Sequence, residues 1–264
     1  AAQELENIRV KAPQNQPAVL ALADLREKEK NYAKAAELDG KLLAFKPDSV
    51  PALNNLAYLD AERLNQLGNA QELARKARTI APADPAVADT LGWILFKSGD
   101  YERALELVSE AAGKTPNSPE VQFHLGMAHY MMGQTEAAAS AFKQALSIQG
   151  DFPSKTEAQR RLAILEQTSK GAEASGVDEL EAMVKQYPND VIARMKLGEL
   201  YAKQNHFDRA ATAYREALRL NPKLAPAALK LTQLYAGPLH DPAAALEFAK
   251  KARDLAPNDP QVAG

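Results

Sequence analysis

The sequence predicts an all-α fold, a right-handed superhelical solenoid of antiparallel helix pairs, and three observations predict it. Pro13, Pro47, Pro82, Pro116, Pro188, Pro222 and Pro257 are separated by 34, 35, 34, 72, 34 and 35 residues, and Gly150 splits the long interval into 34 and 38. A fixed period of this length marks a repeat architecture. Alanines recur in step with it, at Ala35, Ala70, Ala104, Ala138, Ala210 and Ala245, which sets out the face of one helix that approaches another closely. Finally, aromatic residues are only 6% of the chain, and an apolar share dominated by Ala and Leu beside Glu, Lys and Arg is the composition of long helical structures.

Taken in order, residues 1–15 read as the second helix of a truncated leading repeat, with Ala1, Leu5, Ile8 and Pro13 on its pattern. Residues 16–152 form four repeats. In each, a first helix is centred on a small residue behind a leucine: Leu22 and Ala23, Leu56 and Ala57, Leu91 and Gly92, Leu125 and Gly126. A glycine in mid-helix costs about 1 kcal/mol relative to alanine, so it implies a close helix crossing. The second helices carry Ala35, Ala70, Ala104 and Ala138, followed seven residues on by Leu42, Ala77, Ala111 and Ala145. Between the two helices lie turns such as "KSGDYERA" and "MMGQTEAA", where Gly can take the left-handed conformation that ends a helix.

Residues 153–190 form a degenerate, lengthened repeat. Its "LEQTSKGAEASGVDEL" is either a tolerated loop insertion or a bend between two blocks that unfold separately. Residues 191–264 return to pattern with two repeats, one built on Leu197, Gly198, Ala210 and Ala217, the other on Ala245 and Ala252. The closing "APNDPQVAG" reads as the start of a truncated further helix.

"ARMKLGELYAKQNHFDRAATAYREALRLNPK" resembles the tetratricopeptide repeat, supplying Leu197, Gly198, Tyr201, Ala210, Tyr214, Ala217 and Pro222 in that family's order. The resemblance covers nearly the whole chain, departing from it in the absence of the usual early tryptophan and in the degenerate fifth repeat. It implies a scaffold for protein-protein interaction rather than an enzyme.

Composition and motifs agree. Thirty-two Lys and Arg against 34 Asp and Glu, a net charge of -2 with no long block of either sign, give no electrostatic footprint for nucleic acid or anionic lipid. The absence of cysteine removes disulfides, thiolate metal sites and cysteine nucleophiles, and fits either a reducing or an oxidising compartment. No apolar run is long enough to insert in a membrane. No HExxH, phosphate-binding loop or dinucleotide fingerprint occurs, and His124 and His129, five apart on a helix, face different ways. No catalytic residue, metal or cofactor is therefore expected.

Binding is expected instead. In tetratricopeptide proteins the first helices line a groove, and the row facing it lies three before, one after and four after the small mid-helix residue. Here that row is Asn54, Tyr58 and Ala61, then Asp89, Trp93 and Phe96, then Phe123, Met127 and Tyr130, with Asn55, Thr90, Lys97, His124 and Met131 beside them. In the first repeat the same row is Leu20, Asp24 and Glu27, and in the sixth Met195, Glu199 and Ala202, so aromatic and methionine side chains gather between residues 54 and 131. Aromatic rings offer large contact area at low entropic cost, and methionine adapts to varied partners. The expected partner is a protein or peptide segment; the alternative is that these bulky groups pack against neighbouring helices and the array is a structural spacer. Truncated repeats would expose apolar surface and invite end-to-end or homodimer contacts.

A narrower resemblance covers residues 50–168, where "ALNNLAYLDAE", "PAVADTLGWILFKSGDYERAL" and "PEVQFHLGMAHYMMGQTEAAASAFKQAL" followed by "DFPSKTEAQRRLAIL" look like the repeat proteins of bacterial exosortase and exopolysaccharide systems. It implies an exported or envelope-associated location, periplasm included.

Overall fold

In a computed structural model, residues 15–169 and 176–257 are described, and they are helical almost throughout. Fourteen helices follow one another among them: α1 (Gln16–Lys28), α2 (Tyr32–Phe45), α3 (Val50–Glu62), α4 (Leu67–Ile80), α5 (Pro85–Lys97), α6 (Tyr101–Lys114), α7 (Pro119–Met131), α8 (Thr135–Ser147), α9 (Lys155–Ser169), α10 (Gly176–Gln186), α11 (Val191–Lys203), α12 (Phe207–Leu220), α13 (Ala225–Ala236) and α14 (Pro242–Leu255). The leading segment with Pro13, the centre of the insertion at 170–175 and the end of "APNDPQVAG" lie outside the described residues.

The prolines terminate the second helices as their period requires. Pro47, Pro82, Pro116, Pro188, Pro222 and Pro257 each stand two residues beyond the last residue of α2, α4, α6, α10, α12 and α14. A proline there has no amide proton to continue the ladder, and its ring obstructs the preceding turn. Within six pairs the chain reverses through one residue of positive φ: Lys30, Asn65, Gly99, Gly133, Asn205 and His240. Gly99, Gly133 and Asn205 are the residue types the turns call for. Lys30 and His240 adopt the same conformation against their own preference, because two helices packed along their length fix the turn between them.

The small residues mark the crossings. Ala35, Ala70, Ala104, Ala138 and Ala210 are fully buried, as are Ala77, Ala111, Ala145 and Ala217 one heptad on. A β-carbon on Gly92 would sit 2.8 Å from Val108 Cγ1, one on Gly126 2.5 Å from the Phe142 ring, and one on Gly198 2.7 Å from the Tyr214 ring. In each case the obstructing residue is sixteen further along the chain. The glycine and the large side chain are thus one interlocking device repeated along the array, and its buried apolar volume is the main source of stability.

Two compact units divide the chain, residues 1–124 and 125–264, and the boundary falls within α7 rather than in the 153–190 repeat. The first unit stacks the pairs α1/α2, α3/α4 and α5/α6, with neighbouring pairs in contact through α2 with α3 and α4 with α5. Its core runs from Val19, Leu22, Leu38 and Leu42 through Leu53 and Val87 to Leu91, Ile94 and Leu95. The second unit holds α8 to α14 and the end of α7. There Asp190 caps α11 by accepting from the Ala193 amide at 3.0 Å, and also accepts from the Tyr130 hydroxyl at 2.7 Å and from Arg161 Nη1 at 2.6 Å. A buried carboxyl group that accepts from a phenol, a guanidinium and a helix N-terminal amide has its acceptor atoms satisfied. Burial works against the charge of Arg161, but Asp190, Tyr130 and Glu157 outweigh it and raise its pKa.

Candidate peptide-binding face

The residues singled out at 54–124 all lie in the first unit, on the face made by α1, α3, α5 and the start of α7. Polar bonds join one first helix to the next along this face. Asn55 Nδ2 donates to Asp24 Oδ1 at 3.4 Å, the Trp93 indole N–H donates to Glu62 Oε1 at 2.7 Å, and Lys97 Nζ donates to the same oxygen at 2.6 Å. His124 Nδ1 and Asp89 Oδ1 are 2.9 Å apart. Each of these bonds joins a first helix to the first helix of the neighbouring repeat.

At the centre is a column of rings. Trp93 stacks on Phe96 with centroids 4.7 Å apart and planes 5° from parallel, and the His124 ring lies 4.1 Å from Trp93 at 17°. Phe123 meets Trp93 at 5.9 Å, and Tyr101 meets the edge of Phe96 at 5.3 Å. Trp93 and Phe96 are half-buried, so the column has a wet side. With its N–H already bonded to Glu62, the indole is held in one orientation and presents ring surface rather than an unsatisfied donor.

The electrostatics fit a rigid rim. Burial alone would raise the pKa of Glu62, but hydrogen bonds from Lys97 and Trp93 and the Lys97 charge outweigh it, holding the carboxyl below its usual range. Burial also opposes a charge on His124, yet Asp89, Glu120 and Glu62 prevail and its pKa is raised; Nε2 lies 3.6 Å from Glu120 Oε1. Burial, followed by the charge of Glu62, pushes the Tyr58 phenol up to about 12, so it stays protonated. One acceptor on this face is unspent: Asn54 Oδ1 is buried without a hydrogen-bond partner among the described residues.

Several predicted row residues are interior instead. Ala61, Thr90, Phe123 and His124 are buried in the first unit, and Met127, Tyr130 and Met131 in the second, with Tyr130 fully enclosed and bonded to Asp190. The expectation of solvent-facing groove anchors does not hold for these seven, because the row rule considers only the next helix and not what lies across from it. Asn54, Asn55, Tyr58, Asp89, Trp93 and Phe96 remain half-buried, and Lys97 is exposed. Glu62 was missed, although Glu62 and Lys97, opposite charges one period apart at the same place in successive repeats, were a readable signal.

Among the described residues, no group of three or more His, Asp or Glu could hold a metal ion, and no helix is long and apolar enough to cross a membrane. His129 instead faces Gln134, with Nδ1 2.6 Å from its Oε1.

Residues 90–166 and 191–224 match tetratricopeptide repeat models. The TPR repeat-containing protein PA4667 of Pseudomonas aeruginosa is 36% identical over 102 residues, 39% of this chain and 17% of that protein. The human protein O-mannosyl-transferase TMTC1 is 28% identical over 162 residues, 60% of this chain and again 17% of that protein. The chain thus spans about a sixth of the length of either relative. Among solved structures, Pseudomonas aeruginosa pilF aligns over 94% of both chains with a TM-score of 0.44 and 19% identity, and the pilus biogenesis factor PilW over 94% of this chain and 98% of its own with a TM-score of 0.46 and 16% identity. With its proline period and interlocked glycines, the chain is an array of helix pairs in which residues 90–166 and 191–224 match the tetratricopeptide repeat.

Proposed function

We propose that the first-helix face of residues 54–97 binds a segment of a protein partner, seating an apolar side chain against the Trp93 and Phe96 rings. The observation that carries this reading is the half-buried ring column, stacked on His124 and tied by its indole N–H to Glu62. A platform already rigid when empty loses little conformational entropy on binding. Asn54 Oδ1 supports the reading from the other direction, since a buried acceptor without a donor is costly and a backbone N–H of a bound segment would satisfy it. The likeness of residues 50–168 to exosortase- and exopolysaccharide-associated repeat proteins supports a place in a bacterial envelope assembly. The chain's own part in such an assembly is to hold a partner, and no step of chemistry is assigned to it.

The test is selection of binders from a displayed random-peptide library, followed by titration of the selected synthetic peptides into wild type and Phe96→Ala. The expected result is a loss of about 30-fold or more in affinity, equivalent to about 2 kcal/mol at a binding hot spot, with the helical signal retained. Equal affinity for both proteins would assign the rings to packing and the array to a spacer role.

A further inference from the structure

One group packed against the ring column can change its charge near neutral pH. His124 stands two residues before Gly126 on α7, at the place that Asn55 holds before Ala57 and Thr90 before Gly92, neither of which titrates. It is 3% exposed, and its ring stacks on Trp93 at 4.1 Å and 17° and meets Phe123 at 5.9 Å. Two carboxylates flank it, with Asp89 Oδ1 2.9 Å from Nδ1 and Glu120 Oε1 3.6 Å from Nε2. A carboxylate only accepts, and a neutral imidazole has a single N–H to give. Bonded to Asp89 through Nδ1, the neutral ring turns a lone pair towards Glu120; only the imidazolium carries a donor on both sides.

We infer that the proton on His124 is a switch on the binding face: the charged imidazole locks the Trp93 ring in place for a partner segment, and the neutral one lets it loosen. This inference rests on the proposed binding function and adds the regulation of that site. The charged and titratable groups around the imidazole are Asp89 and Lys97 on α5, Glu62 and the Tyr58 phenol on α3, and Glu120 on its own helix. Lys97 pairs with Glu62 at 2.6 Å, and the phenol stays protonated. A cation over an indole face is attracted by it, more strongly where water is excluded. The imidazolium therefore holds the Trp93 ring by its face while Glu62 holds its N–H.

Loss of the proton undoes this arrangement. It removes the attraction on the indole and takes one positive charge from among Asp89, Glu120 and Glu62, so the contact of α5 with α7 under the rings slackens. A loosened ring must be ordered again each time a segment lands on it, which lowers affinity. Burial works against the charged imidazole, but Asp89, then Glu120 and Glu62, outweigh it and set the midpoint above the ordinary 6.5. Affinity for the segment accordingly falls as pH rises through that midpoint. By reciprocity, a segment that prefers the charged form raises the midpoint when it binds.

Trp93 is the only tryptophan of the chain, so its emission reports on its own stacking partner, and an imidazolium in contact with an indole quenches it more than the neutral ring does. The test is a titration of that emission, and of its quenching by acrylamide, from about pH 5 to about pH 9 in the whole chain and in His124→Gln. The expected result is one transition with its midpoint above 6.5, across which emission and acrylamide quenching both rise, and its loss in the variant. NMR of the His124 ring in the wild type gives the same midpoint without a substitution. A selected peptide that carries no histidine should bind about tenfold more weakly at the upper end of the range, the equivalent of one unit of linked shift, and equally at both ends in His124→Gln. A His124 midpoint at or below the ordinary value, a quenching constant that does not change across it, or a wild-type affinity independent of pH overturns the inference. The first two are read on the free protein, which makes their failure distinct from a failure of Phe96→Ala to weaken peptide binding.

Discussion

Trp93 on α5 donates its indole N–H to Glu62 at the end of α3, across 31 residues of sequence and 2.7 Å of space. One carboxylate oxygen also receives Lys97 at 2.6 Å, so the bond fixes both the aromatic and the cationic element of the face. The lone tryptophan serves two ends at once: it joins neighbouring repeats and shows ring surface to solvent.

Trp93→Phe keeps the column and loses the bond, and the expected cost is about 1 kcal/mol. Trp93→Ala loses the column too and should cost about 2 to 4 kcal/mol of first-unit stability, below the range for a fully enclosed tryptophan. Urea denaturation followed by circular dichroism checks both; equal cost for the two variants would show that the stacking adds nothing.

Gly198→Ala places a β-carbon 2.7 Å from the Tyr214 ring and should destabilise by about 1 to 3 kcal/mol, although alanine is the better helix former. Gly113 on α6 has nothing within 4 Å of the same atom, so Gly113→Ala should stabilise by up to about 1 kcal/mol. Thermal melts of the two variants should move in opposite directions.

Lys30 and His240 occupy the left-handed turn position that Gly99 and Gly133 fill elsewhere. Lys30→Gly and His240→Gly should each stabilise by about 1 kcal/mol, the cost of that conformation for a residue with a β-carbon. Unchanged melting temperatures would mean the turns relax in solution.

The pH dependence has a definite sign at Asp39. Its folded pKa of about 8 lies above the unfolded value of about 3.9, so between these limits the unfolded chain has lost a proton that the folded chain keeps. Stability falls as pH rises through that window and levels off above it. Asp39→Asn should flatten this slope and raise the melting temperature at neutral pH. A His124 contribution runs the same way: with its pKa raised, its stabilisation is complete below about 6.5 and is lost as pH rises through the folded value.

Asp190→Ala leaves the Arg161 guanidinium and the Tyr130 hydroxyl without their shared acceptor. The expected loss is about 3 to 5 kcal/mol in the second unit, as for a buried ion pair deprived of one partner. Hydrogen exchange at α7 and α11 locates the effect.

How much of this was readable without coordinates follows from the range of each interaction. The helix pairs were, since a period of 34 and alanines at fixed steps are local signals; the bond of Trp93 to Glu62 in the repeat before it was not foreseen. The Tyr130 bond was not, because Asp190 is 60 residues away and no repeat rule links them. The turns at Lys30 and His240 escaped because packing overrode local preference. Asp39 was visible as a charged residue in a place that holds Val108, Phe142 and Tyr214 elsewhere, but only burial turns that substitution into a chemical question.

The central claim is that the Trp93 ring is a landing surface. Its most direct test is acrylamide quenching of the lone tryptophan with and without a selected peptide. The account predicts measurable quenching in the free protein and marked protection in the complex; a quenching constant unchanged by saturating peptide would contradict it.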